Sequence, residues 1–198
     1  MDKIEKDESD NASPIARAAE RLSDVLLARK RRLILAESCT AGQVAASLGL
    51  RPGVSGALCG SFVTYRNSLK RDVLGIAADV LEHPGAVSRE VAEAMAVGAL
   101  ARSTEADLAG SVTGHLGPND PPELDGTVFF GIATRTVDRP KVEVTEFHCT
   151  RSGRADRAAE VTETLLTLLA DAVEAHAAEA TAASQPRGEG DDPDDQGR

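Results

Sequence analysis

The chain has 198 residues, 41% of them hydrophobic, which suits one ordinary domain with a real core better than two small ones. A net charge of −10 argues against a nucleic-acid binder or a basic membrane-surface protein, both of which need clustered Lys and Arg. The three cysteines, Cys39, Cys59 and Cys149, are odd in number, widely spaced and in no CxxC arrangement, so they read as reduced thiols and suggest neither a disulfide framework nor a zinc site.

The opening MDKIEKDESD has no basic stretch followed by an apolar one, and no later apolar run is long enough to cross a bilayer. A cytoplasmic protein that does not engage a membrane is expected. Residues 1–12 and 179–198 are acidic and poor in apolar side chains, and are expected to be disordered, which leaves one functional domain over 13–178. Ser13 followed by Pro14 forms an N-cap and first turn, and Ile15, Ala18, Ala19, Leu22, Val25 and Leu26 recur at helical spacing. LILA (33–36) reads as a buried strand, and Ser38 to Thr40 stand where a helix with Val44, Ala45 and Leu48 begins.

ALCGSFVTY (57–65) is β-prone and ends at Tyr65, and a short helix through Asn67, Lys70 and Leu74 follows. Ser88 caps a helix with Val91, Ala94, Met95 and Gly98 on one face, and ADLAGSV (106–112) is another buried strand. After a Gly- and Pro-rich loop (114–126), TVFFGIAT (127–134) and KVEVTEF (141–147) flank a turn at Asp138–Pro140 and predict an antiparallel pair. Ala158, Val161, Leu165, Leu168, Leu169 and Ala172 mark a closing amphipathic helix. The order predicts an α/β fold: three layers, α/β/α, around a mixed, mostly parallel sheet that ends in an antiparallel hairpin.

Three segments lie at or near strand ends, where open α/β sheets build their binding crevice: AESCTAG (36–42), TYRNSLK (64–70) and SVTGHLGP (111–118). Their position marks them as site candidates without naming a reaction, since a serine before a helix is most often only an N-cap. Lys70 equally reads as a solvated helix lysine and Tyr65 as the close of a strand. Cys39 is a second candidate nucleophile beside Ser38, although a small buried filler is the simpler reading. His115, His148 and Cys149 match no common metal-ligand spacing, so no metal and no cofactor is expected.

Five ordered motifs together carry a resemblance: ESCTAG (37–42), YRNSLK (65–70) followed by Leu74-Gly75, GAVS (85–88), VTGHLGP (112–118) and Arg151. Over roughly residues 15–170 the chain resembles the nicotinamide-nucleotide amidohydrolase family, or CinA C-terminal domain, in its stand-alone form. The resemblance implies hydrolysis of the carboxamide of nicotinamide mononucleotide, a pyridine nucleotide, to nicotinate mononucleotide and ammonia. It implies Ser38 as nucleophile, Lys70 as general base, Tyr65 assisting proton transfer, and a homodimer or higher homo-oligomer. A lysine can serve as a base when burial lowers its pKa towards neutrality. Amides around Cys39 to Gly42 are the expected oxyanion donors. Glu37, Cys39, Thr40, Gly42, Thr113, Gly114 and Arg151 are the expected substrate contacts, with Thr40, Thr113, Gly114 and Arg151 proposed for phosphate and ribose and Glu37 also suited to bracing the turn.

The loop departs from the family's pattern. His115 and Leu116 replace a small apolar pair, Pro121-Pro122 stands near a Gly-Gly pair, no Lys-Pro precedes Asp125-Gly126, and Ala41 takes a glycine's place in ESCTGG. The competing reading is therefore a nucleotide-binding or interaction protein of the same fold with altered substrate or lost turnover.

Overall fold

The computed structural model describes residues 12–118 and 122–183, with 177–183 as backbone. Most of the two tails expected to be disordered, and residues 119–121 of the 114–126 loop, lie outside the described residues.

The sheet grows outward from its central strand, β1 (Leu33–Glu37), all five residues of which are buried. Alternation sends Leu33 and Leu35 into one core and Ile34 and Ala36 into another, which is why this strand is apolar on both faces. Strands β2 (Leu58–Val63), β3 (Leu108–Gly114), β4 (Thr127–Thr134) and β5 (Lys141–His148) complete the order β2-β1-β3-β4-β5. β1 pairs in parallel with β2 and β3, while β3–β4 and β4–β5 are antiparallel. The α/β fold with a mixed sheet and a final hairpin is as expected: only β4 runs against the other strands.

Helices α1 (Pro14–Ala28), α2 (Gln43–Gly49) and α5 (Arg154–Ala183) cover one face of the sheet. Helices α3 (Asn67–Leu74) and α4 (Arg89–Arg102) cover the other. On the first face Leu22 and Leu26 of α1 and Leu165, Leu166 and Leu169 of α5 are fully buried, each stabilising the fold by about 1.5–3 kcal/mol. α5 runs to Ala183, past residue 178, where the sequence placed the end of the domain. The second face is lined by small residues, which let α4 come close. A Cβ at Gly131 would stand 2.5 Å from the Ala92 carbonyl oxygen, and one at Gly98 would stand 2.4 Å from that of Leu74. The second contact sets the end of α3, the helix that carries Lys70.

Both predicted serine caps form: Ser13 Oγ accepts from the Ala16 amide and Ser88 Oγ from the Val91 amide, each at 3.2 Å. Beyond the C-terminus of α4, at the N-terminal end of β3, Arg135 donates to the carbonyl oxygens of Leu100, Ser103 and Ala106 at 2.7–2.9 Å. Among the described residues no helix is long and apolar enough to cross a membrane.

Candidate active site

β1 and β2 end together, Glu37 pairing with Val63, while β3 pairs its Val112 with Glu37 and runs on to Gly114. Past these ends the chain opens a cleft of about 260 Å³. Ser38 is fixed there by its amide, which donates to the Val112 carbonyl oxygen at 3.1 Å. Lys70, in the first turn of α3, is only 2% exposed, and its Nζ donates to Ser38 Oγ at 2.9 Å. Burial pulls the Lys70 pKa below its ordinary value, with nearby Cys39 acting in the opposite, weaker sense. The sequence placed these two residues on separate elements, and the fold brings them into contact.

The turn between β1 and α2 is organised from within by Glu37, which is 0% exposed. Glu37 Oε2 accepts from Thr40 Oγ1 at 2.8 Å and from the amides of Gly42 and Val44 at 3.0 Å. Its Oε1 accepts from the Ala45 amide at 3.0 Å and from Ser61 Oγ at 3.1 Å. A carboxylate thus fills the N-terminus of α2, where unpaired amides and the helix dipole favour negative charge. To reach that arrangement the chain passes through two left-handed residues, Ala41 (φ 52) and Gly42 (φ 96).

This internal anion corrects three expected substrate contacts. Glu37, Thr40 and Gly42 do not line the cleft, because their polar groups are committed to one another. The helix start that sequence reasoning reserved for a substrate phosphate already holds Glu37. The expected oxyanion donors narrow in the same way: the Ala41 amide donates to Ser38 O and the Gly42 amide to Glu37, which leaves Cys39 and Thr40.

Cys39 does line the cleft, but burial pushes its thiol up to about 12, with its own backbone and the cations of Lys70 and Arg154 opposing the shift. It stays a protonated thiol at neutral pH, which disfavours it as the nucleophile. Thr113 and Gly114 also line the cleft. Thr113 Oγ1 donates to the Ala86 carbonyl oxygen at 2.7 Å, tying the end of β3 to the GAVS segment, whose Ala86 and Val87 form a wall. A Cβ at Gly114 would stand 2.6 Å from Val128 Cγ2, so only glycine fits there.

Tyr65 lines the cleft and is 53% exposed; its hydroxyl accepts from Arg154 Nη2 at 2.7 Å, and its hydrogen bond is made there rather than to Ser38 or Lys70. Arg151, the arginine the sequence favoured, is outside the cleft: its Nη2 donates to Glu163 at 2.9 Å. Arg154, at the start of α5, lines it instead. Sequence reasoning also passed over Asn67, although it stands inside the YRNSLK motif at the start of α3. The signal for Arg154 is where α5 begins: Arg154 is its first residue, Arg151 lies in the segment before it and Arg157 is one turn on.

The 114–126 loop is pinned at its far end by a two-point ion pair, Arg157 Nη1 to Asp125 Oδ1 at 2.7 Å and Nη2 to Oδ2 at 3.1 Å. His115, Leu116 and Gly117, at the loop's start, close that side of the cleft. Among the described residues, no three His, Cys, Asp or Glu side chains gather as metal ligands.

Residues 15–173 match the family described as CinA C-terminal domain. A CinA-like protein of Mycolicibacterium vanbaalenii is 48% identical over 105 residues, 52% of this chain and 25% of that protein. One from Mycobacterium marinum is 45% identical over 129 residues, 59% of this chain and 30% of its own. The chain thus spans under a third of the length of these relatives. Among solved structures, the competence/damage inducible protein CihA from Agrobacterium tumefaciens superposes with a TM-score of 0.75 at 33% identity, covering 82% of this chain and 97% of its own. A competence-damaged protein (CinA) superfamily protein from Klebsiella pneumoniae gives 0.75 at 28% identity, covering 82% and 98%.

Proposed function

Since the chain belongs to the CinA C-terminal domain family, we propose that it is a serine–lysine amidohydrolase that hydrolyses the carboxamide of nicotinamide mononucleotide. The observation that carries the reading is the buried contact of 2.9 Å between Lys70 Nζ and Ser38 Oγ, placed inside a cleft. A serine hydroxyl needs a base, and an amine whose pKa is lowered by burial supplies one without a metal or cofactor.

In this reading Ser38 Oγ attacks the amide carbon while neutral Lys70 takes its proton. The amide of Cys39, which lines the cleft, receives the oxyanion. Collapse expels ammonia, protonated on departure by the Lys70 ammonium, and leaves an ester on Ser38. Water then attacks that ester, Lys70 again takes the proton, and nicotinate mononucleotide leaves as Ser38 is restored. Tyr65 stands at the rim of the same cleft, where its hydroxyl is placed to meet substrate. The test is ammonia release from nicotinamide mononucleotide by the unsubstituted chain and by Ser38→Ala. Turnover by the first and none by the second is expected; equal turnover by both would remove Ser38 from the mechanism.

A further inference from the structure

Arg151, Arg154 and Arg157 lie close together around the start of α5, and carboxylates claim two of them. Arg151 is bound to Glu163 and Arg157 to Asp125. Arg154 forms no ion pair among the described residues; its Nη2 donates to the neutral Tyr65 hydroxyl, which leaves Nε and Nη1 without partners. Among the described residues, those lining the cleft include no Asp or Glu. Lys70 is buried and held towards its neutral form, whereas Arg154 presents an exposed guanidinium to the cleft. The alternative anion site, the start of α2, is filled by Glu37.

We propose that Arg154 is the residue that receives the anionic group of the substrate, a phosphate monoester, at the mouth of the cleft. The assignment rests on the amidohydrolase reading for the identity of the substrate, and it replaces Arg151 in that role. A guanidinium presents a planar fork that matches two phosphate oxygens, and one bound only to a phenol exchanges that partner for a dianion at little cost. The same exchange releases the Tyr65 hydroxyl inside the cleft. Arg154 is thereby a specificity residue that separates a phosphorylated nucleotide from the corresponding nucleoside.

The test is calorimetric binding of ribose 5-phosphate and of ribose to the full chain, which does not depend on turnover. Loss of a two-point charged contact is expected to weaken ribose 5-phosphate by about 10- to 100-fold in Arg154→Gln. Arg154→Lys should recover part of the affinity, and Arg151→Gln should bind like the unsubstituted chain. Ribose should bind Arg154→Gln and the unsubstituted chain alike. Arg154 is exposed, and an unchanged melting temperature verifies the fold of each variant. Equal phosphate affinity in Arg154→Gln, a larger loss in Arg151→Gln, or no millimolar binding by the unsubstituted chain would each overturn the assignment. Failure of the amidohydrolase reading is seen separately, as absence of ammonia release with phosphate binding intact.

Discussion

Replacing Glu37 by alanine should destabilise the site and the domain with it. The side chain accepts five hydrogen bonds, three of them from the backbone at the start of α2, in a place with no access to water. A hydrogen bond to a charged group contributes roughly 1.5–3 kcal/mol, and donors left unsatisfied in the interior add their own penalty. The five share one acceptor group and are not additive, so a loss of about 4 kcal/mol or more is expected, against a typical total stability of about 5–15 kcal/mol. For a chain of this length that is a fall of roughly 10 °C or more in melting temperature. Glu37→Gln should be milder, about 1–3 kcal/mol, because an amide oxygen can serve the three donors of Oε2 while its NH₂ opposes the Ala45 amide. Thermal unfolding followed by circular dichroism near neutral pH measures both. An alanine variant that melts within a few degrees of the unsubstituted chain and still hydrolyses amide would refute the claim that this carboxylate holds the turn.

Three further variants test the rest of the site. Cys39→Ser should retain substantial ammonia release while Ser38→Ala retains none; equal losses would point to the thiol instead. Lys70→Met should abolish turnover yet leave the melting temperature equal or higher, since it removes a charge that burial disfavours. The unfolded chain binds the Lys70 proton more tightly than the folded one does, so stability should rise with pH between the lowered folded pKa and the ordinary lysine value, and Lys70→Met should flatten that rise. Turnover should likewise increase with pH through the folded pKa, and a flat profile with chemistry rate-limiting would exclude Lys70 as the base. Ala41→Gly should stabilise the chain by about 0.5–1 kcal/mol, because φ 52 suits glycine better than alanine; chemical denaturation reads the shift in midpoint, and an unchanged midpoint would show the turn unstrained.

The strands were legible because each is an apolar or an alternating run with turn signals near its ends, and TVFFGIAT coincides with β4 to the residue. Boundaries slipped where a strand ran on into the site: β3 continues through Thr113 and Gly114, past Val112 where the sequence ended it, and β2 stops at Val63, short of Tyr65. Ser38 and Lys70 were legible as a pair only through the family resemblance, since nothing in a stretch of 32 residues says that a strand end and a helix turn will meet. Glu37 was named both as a substrate contact and as a brace for the turn, and the hydrogen bonds it accepts are those of a brace. Local sequence does not reveal that its carboxylate turns inward, because that depends on two left-handed residues downstream and on Ser61 from a neighbouring strand. Arg151 and Arg154 were confused for a related reason: the sequence does not mark that α5 starts at Arg154, which leaves Arg151 in the segment before the helix.

The shared direction of β1, β2 and β3 divides the molecule into a working end and a resting end. Thr113 stands in the last residues of β3, and Ser38, Lys70 and Arg154 follow the C-terminal ends of strands, whereas the β4–β5 hairpin turns back at the opposite edge, where Val137 is fully exposed. That edge is stitched by Arg135 to the carbonyl groups at the end of α4, so it keeps its shape without help from the hairpin tip. For protein engineering the tip is thus a natural attachment point: a fluorophore, an affinity peptide or a surface tether placed at residue 137 would leave the mouth of the cleft facing away from the anchor.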